Sequence, residues 1–129
     1  MDRSDTKSGF TSRSSKFFVI SGCLLLALMA VFHGSGIQFV NAEVTKSNTA
    51  DFIKEIFPVL FIHPSIHLFG LAAFGALTLR MKDDRKKVLV MISSLIVISS
   101  LAAFYLSAIL PGLLLLSAAF CFLIASRSR

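Results

Sequence analysis

The chain has 129 residues, 55% of them hydrophobic, with a mean hydropathy of +0.80. A soluble domain of this length cannot hide so much apolar surface in its small interior, so lipid must cover the rest. Charged residues make up 16% of the chain, with a formal net charge of +6. They sit in short clusters beside long uncharged runs, which sets nucleic acid aside and makes the headgroups of a lipid bilayer the partner of the basic residues.

Residues 1–16, MDRSDTKSGFTSRSSK, are rich in Ser, Thr and charge and hold almost nothing apolar. Such a segment gains too little from burial to offset the entropy of ordering, and it reads as a flexible cytoplasmic tail. Residues 17–40 carry no charge. As a helix they reach about 36 Å, enough to cross a hydrocarbon core of about 30 Å, and they form the expected first crossing.

Two processing signals compete with that reading. Val40-Asn41-Ala42 before Glu43 has the small-residue look of a signal-peptidase site, and Ile20-Ser21-Gly22-Cys23 superficially matches a lipoprotein cleavage box. The apolar stretch is longer than a usual signal core, so retention is the working reading. Cleavage would leave three spans.

Residues 41–55, NAEVTKSNTADFIKE, form a polar loop in which Ser47 or Asn48 is the expected N-cap of the next helix, over about 50–80. Pro58 and Pro64 lie in its first half, where each removes a backbone donor, and a kink is expected over residues 60–64. Residues 80–87 make a polar hairpin with five basic side chains. The following run, 88–126, is uncharged and would reach about 58 Å as one helix, so it must fold back. Pro111-Gly112 is the expected break, dividing the run into spans of about 88–106 and 111–125.

Lys and Arg fix the orientation. Four lie in the tail, five in the hairpin and two at Arg127 and Arg129, against only Lys46 and Lys54 in the first loop. Four spans put the large groups together on the cytoplasmic side. The expected architecture is therefore all-α: a four-helix transmembrane bundle over residues 17–126, up-down-up-down, with both ends inside. Basic inner flanks and the lack of glycosylation sequons suit a bacterial plasma (inner) membrane.

Small residues should set the packing, because lipid tails give helices no hydrophobic reason to associate. Ala30 with Gly34, Ala72 with Ala76, Gly70, Gly75, Ala118 and Ala119 are candidates for close approach. Ser93, Ser94, Ser99 and Ser100 are candidates for bonds between helices. Cys23 and Cys121 lie in apolar segments without a disulfide or metal pattern and read as core residues.

His33, His63 and His67 are the chemically interesting side chains within the spans. His33 and His63 fall at a similar depth, roughly 10 to 12 Å from the outer boundary, and His67 is one helical turn from His63 on the same face. Together they could ligate a transition metal, or two could hold a haem b between helices. The plainer reading has His63 and His67 bonding to carbonyls freed by the prolines, and His33 to a serine or water near Gly34-Ser35-Gly36. No carboxylate lies in the spans to orient a ligating imidazole, which favours the plainer reading. In size and histidine content the chain is similar to the haem-b-bearing membrane anchors of respiratory complexes, a likeness of composition that carries no residue over.

The same lack of Asp and Glu argues against a small proton-coupled drug exporter. No phosphate loop or nucleophile triad is present, so an enzyme is the weaker expectation. The leading expectation is a noncatalytic accessory or assembly subunit of a larger membrane complex, or a homo-oligomer. The alternative is a haem- or metal-binding redox protein using His33, His63 and His67, and a quinone-like pocket beside the proline-bearing helix is a third.

Overall fold

The computed structural model describes the backbone of residues 4–127 and side chains from Arg13 to Arg127. It is helical, with no strand among the described residues: α1 (Ser4–Ser35), α2 (Ile37–Lys46), α3 (Asp51–Leu77), α4 (Arg85–Tyr105) and α5 (Ile109–Arg127). Four stretches are long and apolar enough to cross a membrane, the mark of an integral membrane protein: Arg13–Lys46, Asp51–Leu77, Arg85–Tyr105 and Ile109–Arg127. Most of the expected tail lies outside the described side chains. Its backbone from Ser4 onward is helical and forms the start of α1.

The first apolar run does not end as one helix at residue 40. It breaks at Gly36, whose N–H still bonds to the His33 carbonyl at 3.2 Å, and resumes as α2 through residues expected to be loop. Val40-Asn41-Ala42 therefore lies within a helix. Ser47 does not cap α3 either. Its hydroxyl donates to the Val44 carbonyl at 2.6 Å, closing α2, and Ala50 takes the N-cap place without a side-chain bond. α3 then continues through both Pro58 and Pro64.

The break in the last apolar run also moves. The chain turns at residues 106–108, where Ser107 adopts φ 60°, and not at Pro111-Gly112. Ala108 N–H bonds to the Ala103 carbonyl and Ser107 N–H to the Phe104 carbonyl, both at 2.9 Å, the paired closure that ends a helix on a left-handed residue. Pro111 falls in the first turn of α5, where its missing N–H has no partner to lose, so proline starts this helix without making the turn. Leu110 before it is helical.

The helices do not pack in chain order. α1 is central, lying against both α3 and α5, and α5 pairs closely with α4; α3 meets α4 only sparsely. The small residues explain the seams. The Phe122 ring is fully buried, and a Cβ on Gly22 would stand 2.9 Å from it, while a Cβ on Gly75 would stand 2.8 Å from both the ring and Cys23 Sγ. Glycine on two neighbouring helices thus makes the socket for one aromatic side chain. Gly112 does the same for Phe104, whose ring would be 2.6 Å from an added Cβ.

Side-chain bonds to backbone carbonyls stitch these seams. Ser93 donates to the Ala119 carbonyl at 2.9 Å and Ser100 to that of Gly112 at 2.8 Å, both from α4 to α5. Cys23 donates to the Ala72 carbonyl at 3.3 Å, from α1 to α3. At one end of the bundle Ser15 donates to the Ala125 carbonyl at 3.1 Å and accepts from Arg85 Nη2 at 2.8 Å, tying α1, α4 and α5 together.

Candidate functional site

α3 presents two unlike faces. Ser65, Leu68, Leu71, Ala72 and Gly75 recur three or four residues apart and are buried, the stripe expected of a helix packed on one side. His63, His67, Gly70 and Phe74 lie outside that stripe and are exposed. His67 and Gly70 line a groove of about 270 Å³ between α3 and α4, together with Leu71 and Phe74 and, across it, Val88, Met91, Ile92 and Leu95. A Cβ on Gly70 would have no atom within 4 Å, so this glycine leaves room that nothing in the chain uses.

His33 belongs to the packed side. Its Nε2 lies 3.1 Å from the Phe61 carbonyl oxygen, and its ring stacks on the Phe61 ring at 4.6 Å between centroids. A carbonyl only accepts, so Nε2 is the donor in this bond. Gly34 makes the approach close, since a Cβ there would sit 3.3 Å from Ser65 Oγ, a buried hydroxyl with no hydrogen-bond partner. His33 thus bonds to a carbonyl of the proline-bearing helix rather than to the serine at its own bend, whose hydroxyl donates to the Phe32 carbonyl.

The three histidines therefore do not converge. His33 faces α3, while His63 is exposed and His67 opens onto the groove toward α4, and neither of the latter bonds to a carbonyl among the described residues. Among the described residues no three His, Cys, Asp or Glu side chains stand close enough to hold a metal ion. The shared depth read from the sequence is not enough, because opposite faces of α3 separate the groups.

The end of the molecule at the α3–α4 hairpin has polar features that spacing did not reveal. Lys82, Arg85, Lys86 and Arg127 line a cavity of about 330 Å³ with Leu89, Ala125 and Ser126. The hairpin's charge was plain in the sequence, but its convergence with the last turn of α5 depends on pairing that no local pattern carries. No protein-family model, curated protein or solved structure matches this chain. The class that fold and site define is a small helical membrane protein with one closed and one open flank on α3.

Proposed function

We propose that the chain is a noncatalytic accessory or assembly subunit of a larger membrane complex, docking through the outer face of α3. The observation that carries this reading is the exposed set His63, His67 and Gly70 beside an unfilled groove. Imidazoles facing hydrocarbon are costly, and a partner helix can relieve that by bonding to them while its backbone or a side chain enters above Gly70. Orientation follows the charge: Lys82, Arg85 and Lys86 of the α3–α4 hairpin gather with Arg127 around one cavity, and Arg85 bonds to Ser15 of α1. That supports an up-down-up-down insertion with this end in the cytoplasm.

Purification from its own membrane in mild detergent tests the reading. The chain should elute in a stoichiometric assembly, and the double substitution His67→Leu with Gly70→Leu should release it while helix content is kept. A monodisperse lone chain, or an assembly indifferent to the substitution, overturns the proposal. An assembly of copies of this chain alone replaces the accessory role with self-association through the same face.

The exposure of His63 and His67 on one face favours a specific form of the alternative. A haem b or transition metal gripped there would draw further ligands from a neighbouring chain, because among the described residues no three His, Cys, Asp or Glu side chains stand together. The absorption spectrum and metal content of the intact assembly decide it: no Soret band and no stoichiometric metal ends this form.

A further inference from the structure

The basic cavity at the α4–α5 end is the other built feature of the molecule. Its lining holds four cationic side chains, Lys82, Arg85, Lys86 and Arg127, and no acid. The nearest acids in sequence are Asp83 and Asp84, both exposed. Asp84 pairs with Lys87, which is not in the lining, at 2.7 Å. The cavity's charge is therefore not neutralised by its own hairpin.

Arg85 is what distinguishes this cavity from a loose cluster of surface lysines. Its Nη2 is held by Ser15 Oγ at 2.8 Å, and Ser15 is itself anchored on the Ala125 carbonyl, so the guanidinium is fixed from behind. Its Nε is buried and has no hydrogen-bond partner. A buried N–H on a charged group left unpaired is unfavourable, so the guanidinium lacks a partner that an oxygen acceptor brought against it, with a small shift of the side chain, would supply. Guanidinium geometry suits phosphate oxygens, with lysines adding charge around them.

Depth completes the argument. Arg85 opens α4, the uncharged run begins at Val88, and Arg127 ends α5, so the cavity stands where spans meet headgroups. Leu89 and Ala125 give its membrane-facing part an apolar lining. We propose that this cavity binds a phosphate-bearing anion, the headgroup of an anionic phospholipid, with Arg85 as its fixed donor and Lys82, Lys86 and Arg127 as its charge.

Native mass spectrometry of the full chain in detergent, titrated with phosphatidylglycerol, phosphatidylcholine or inorganic phosphate, tests it. One phosphatidylglycerol should stay bound where phosphatidylcholine does not. Arg85→Gln should weaken retention about tenfold, the scale of one charge-assisted hydrogen bond. Lys87→Gln removes the same charge outside the cavity and should change it less than about twofold. Arg85→Gln also breaks the Ser15 link, so Lys82→Gln with Arg127→Gln, which leaves that link intact, should weaken retention too. Binding of inorganic phosphate with the same residue dependence and no lipid preference keeps the anion site and assigns it to a free anion. Equal retention of both lipids with no phosphate bound, or equal losses from Lys87→Gln and the cavity variants, overturns the proposal.

Discussion

On its inner flank α3 turns Ala72 and Gly75 toward α1 and the Phe122 ring; on its outer flank it turns His67, Gly70 and Phe74 toward α4 across an open groove. The two flanks belong to one helix, and both carry a glycine. They differ in what stands opposite. Gly75 is met by a large ring that also fits against Gly22, whereas Gly70 is met by nothing within 4 Å, with Val88, Met91, Ile92 and Leu95 lining the far side of the groove. A small residue closes a membrane seam only where a complementary large one fills it. Adjacency in the chain counts for little: α3 and α4 are successive, yet α1 and α5 pack more closely.

The largest effect should come from emptying the closed flank. Phe122→Ala leaves a ring-sized void among Gly22, Cys23 and Gly75, residues without bulk to collapse into it. Loss of packing of this kind lowers stability by about 3 kcal/mol. Unfolding in mixed micelles with increasing dodecyl sulfate should report it, and a loss well under half that size would mean that the socket does not hold the bundle. Next in size is the contrast between the two glycines. Gly75→Ala forces a Cβ against the Phe122 ring and Cys23 Sγ at 2.8 Å, an overpacking that should cost about 1 to 3 kcal/mol. Gly70→Ala meets open space and should stay within about 0.5 kcal/mol of the parent. Equal losses at the two positions would erase the distinction between the flanks.

Much of this was legible before the fold. Hydropathy and length located four crossings because an uncharged run longer than the bilayer has to turn. The turn's position was not legible. It rests on Ser107 taking a left-handed conformation usually left to glycine, while the stronger local signal, Pro111-Gly112, begins the next helix. The small residues were visible as candidates, but which would be used depended on partners far away in the chain: Gly75 and Ala72 are packed, Ala76 and Gly70 are exposed. The histidines fail as a cluster for a similar reason. Depth follows from counting residues, but the facing of His33 against His63 and His67 follows from which side of α3 the first helix chose.

The finest test lies in two adjacent residues of α4. Ser93 and Ser94 are chemically identical and neighbours, yet Ser93 reaches the Ala119 carbonyl across the α4–α5 seam while Ser94 bonds back to the Val90 carbonyl at 3.0 Å and is exposed. Bonds between membrane helices are worth about 0.6 kcal/mol on average and rarely above about 1.7. The Ala119 carbonyl also lies within α5, where the backbone gives it a second partner, so Ser93→Ala should fall near the lower figure. Ser94→Ala removes only a bond within its own helix and exchanges serine for a better helix former, so it should be neutral or slightly stabilising. Ser100 and Ser99 repeat the contrast one heptad on: Ser100 crosses to Gly112, and Ser99 returns to the Leu95 carbonyl at 3.1 Å. In the same micelle titration both outward serines should tolerate alanine and both inward ones should lose stability. If Ser94→Ala matched Ser93→Ala, the hydroxyls would contribute through α4 itself, and the α4–α5 seam would owe its stability to packing such as that of Phe104 on Gly112.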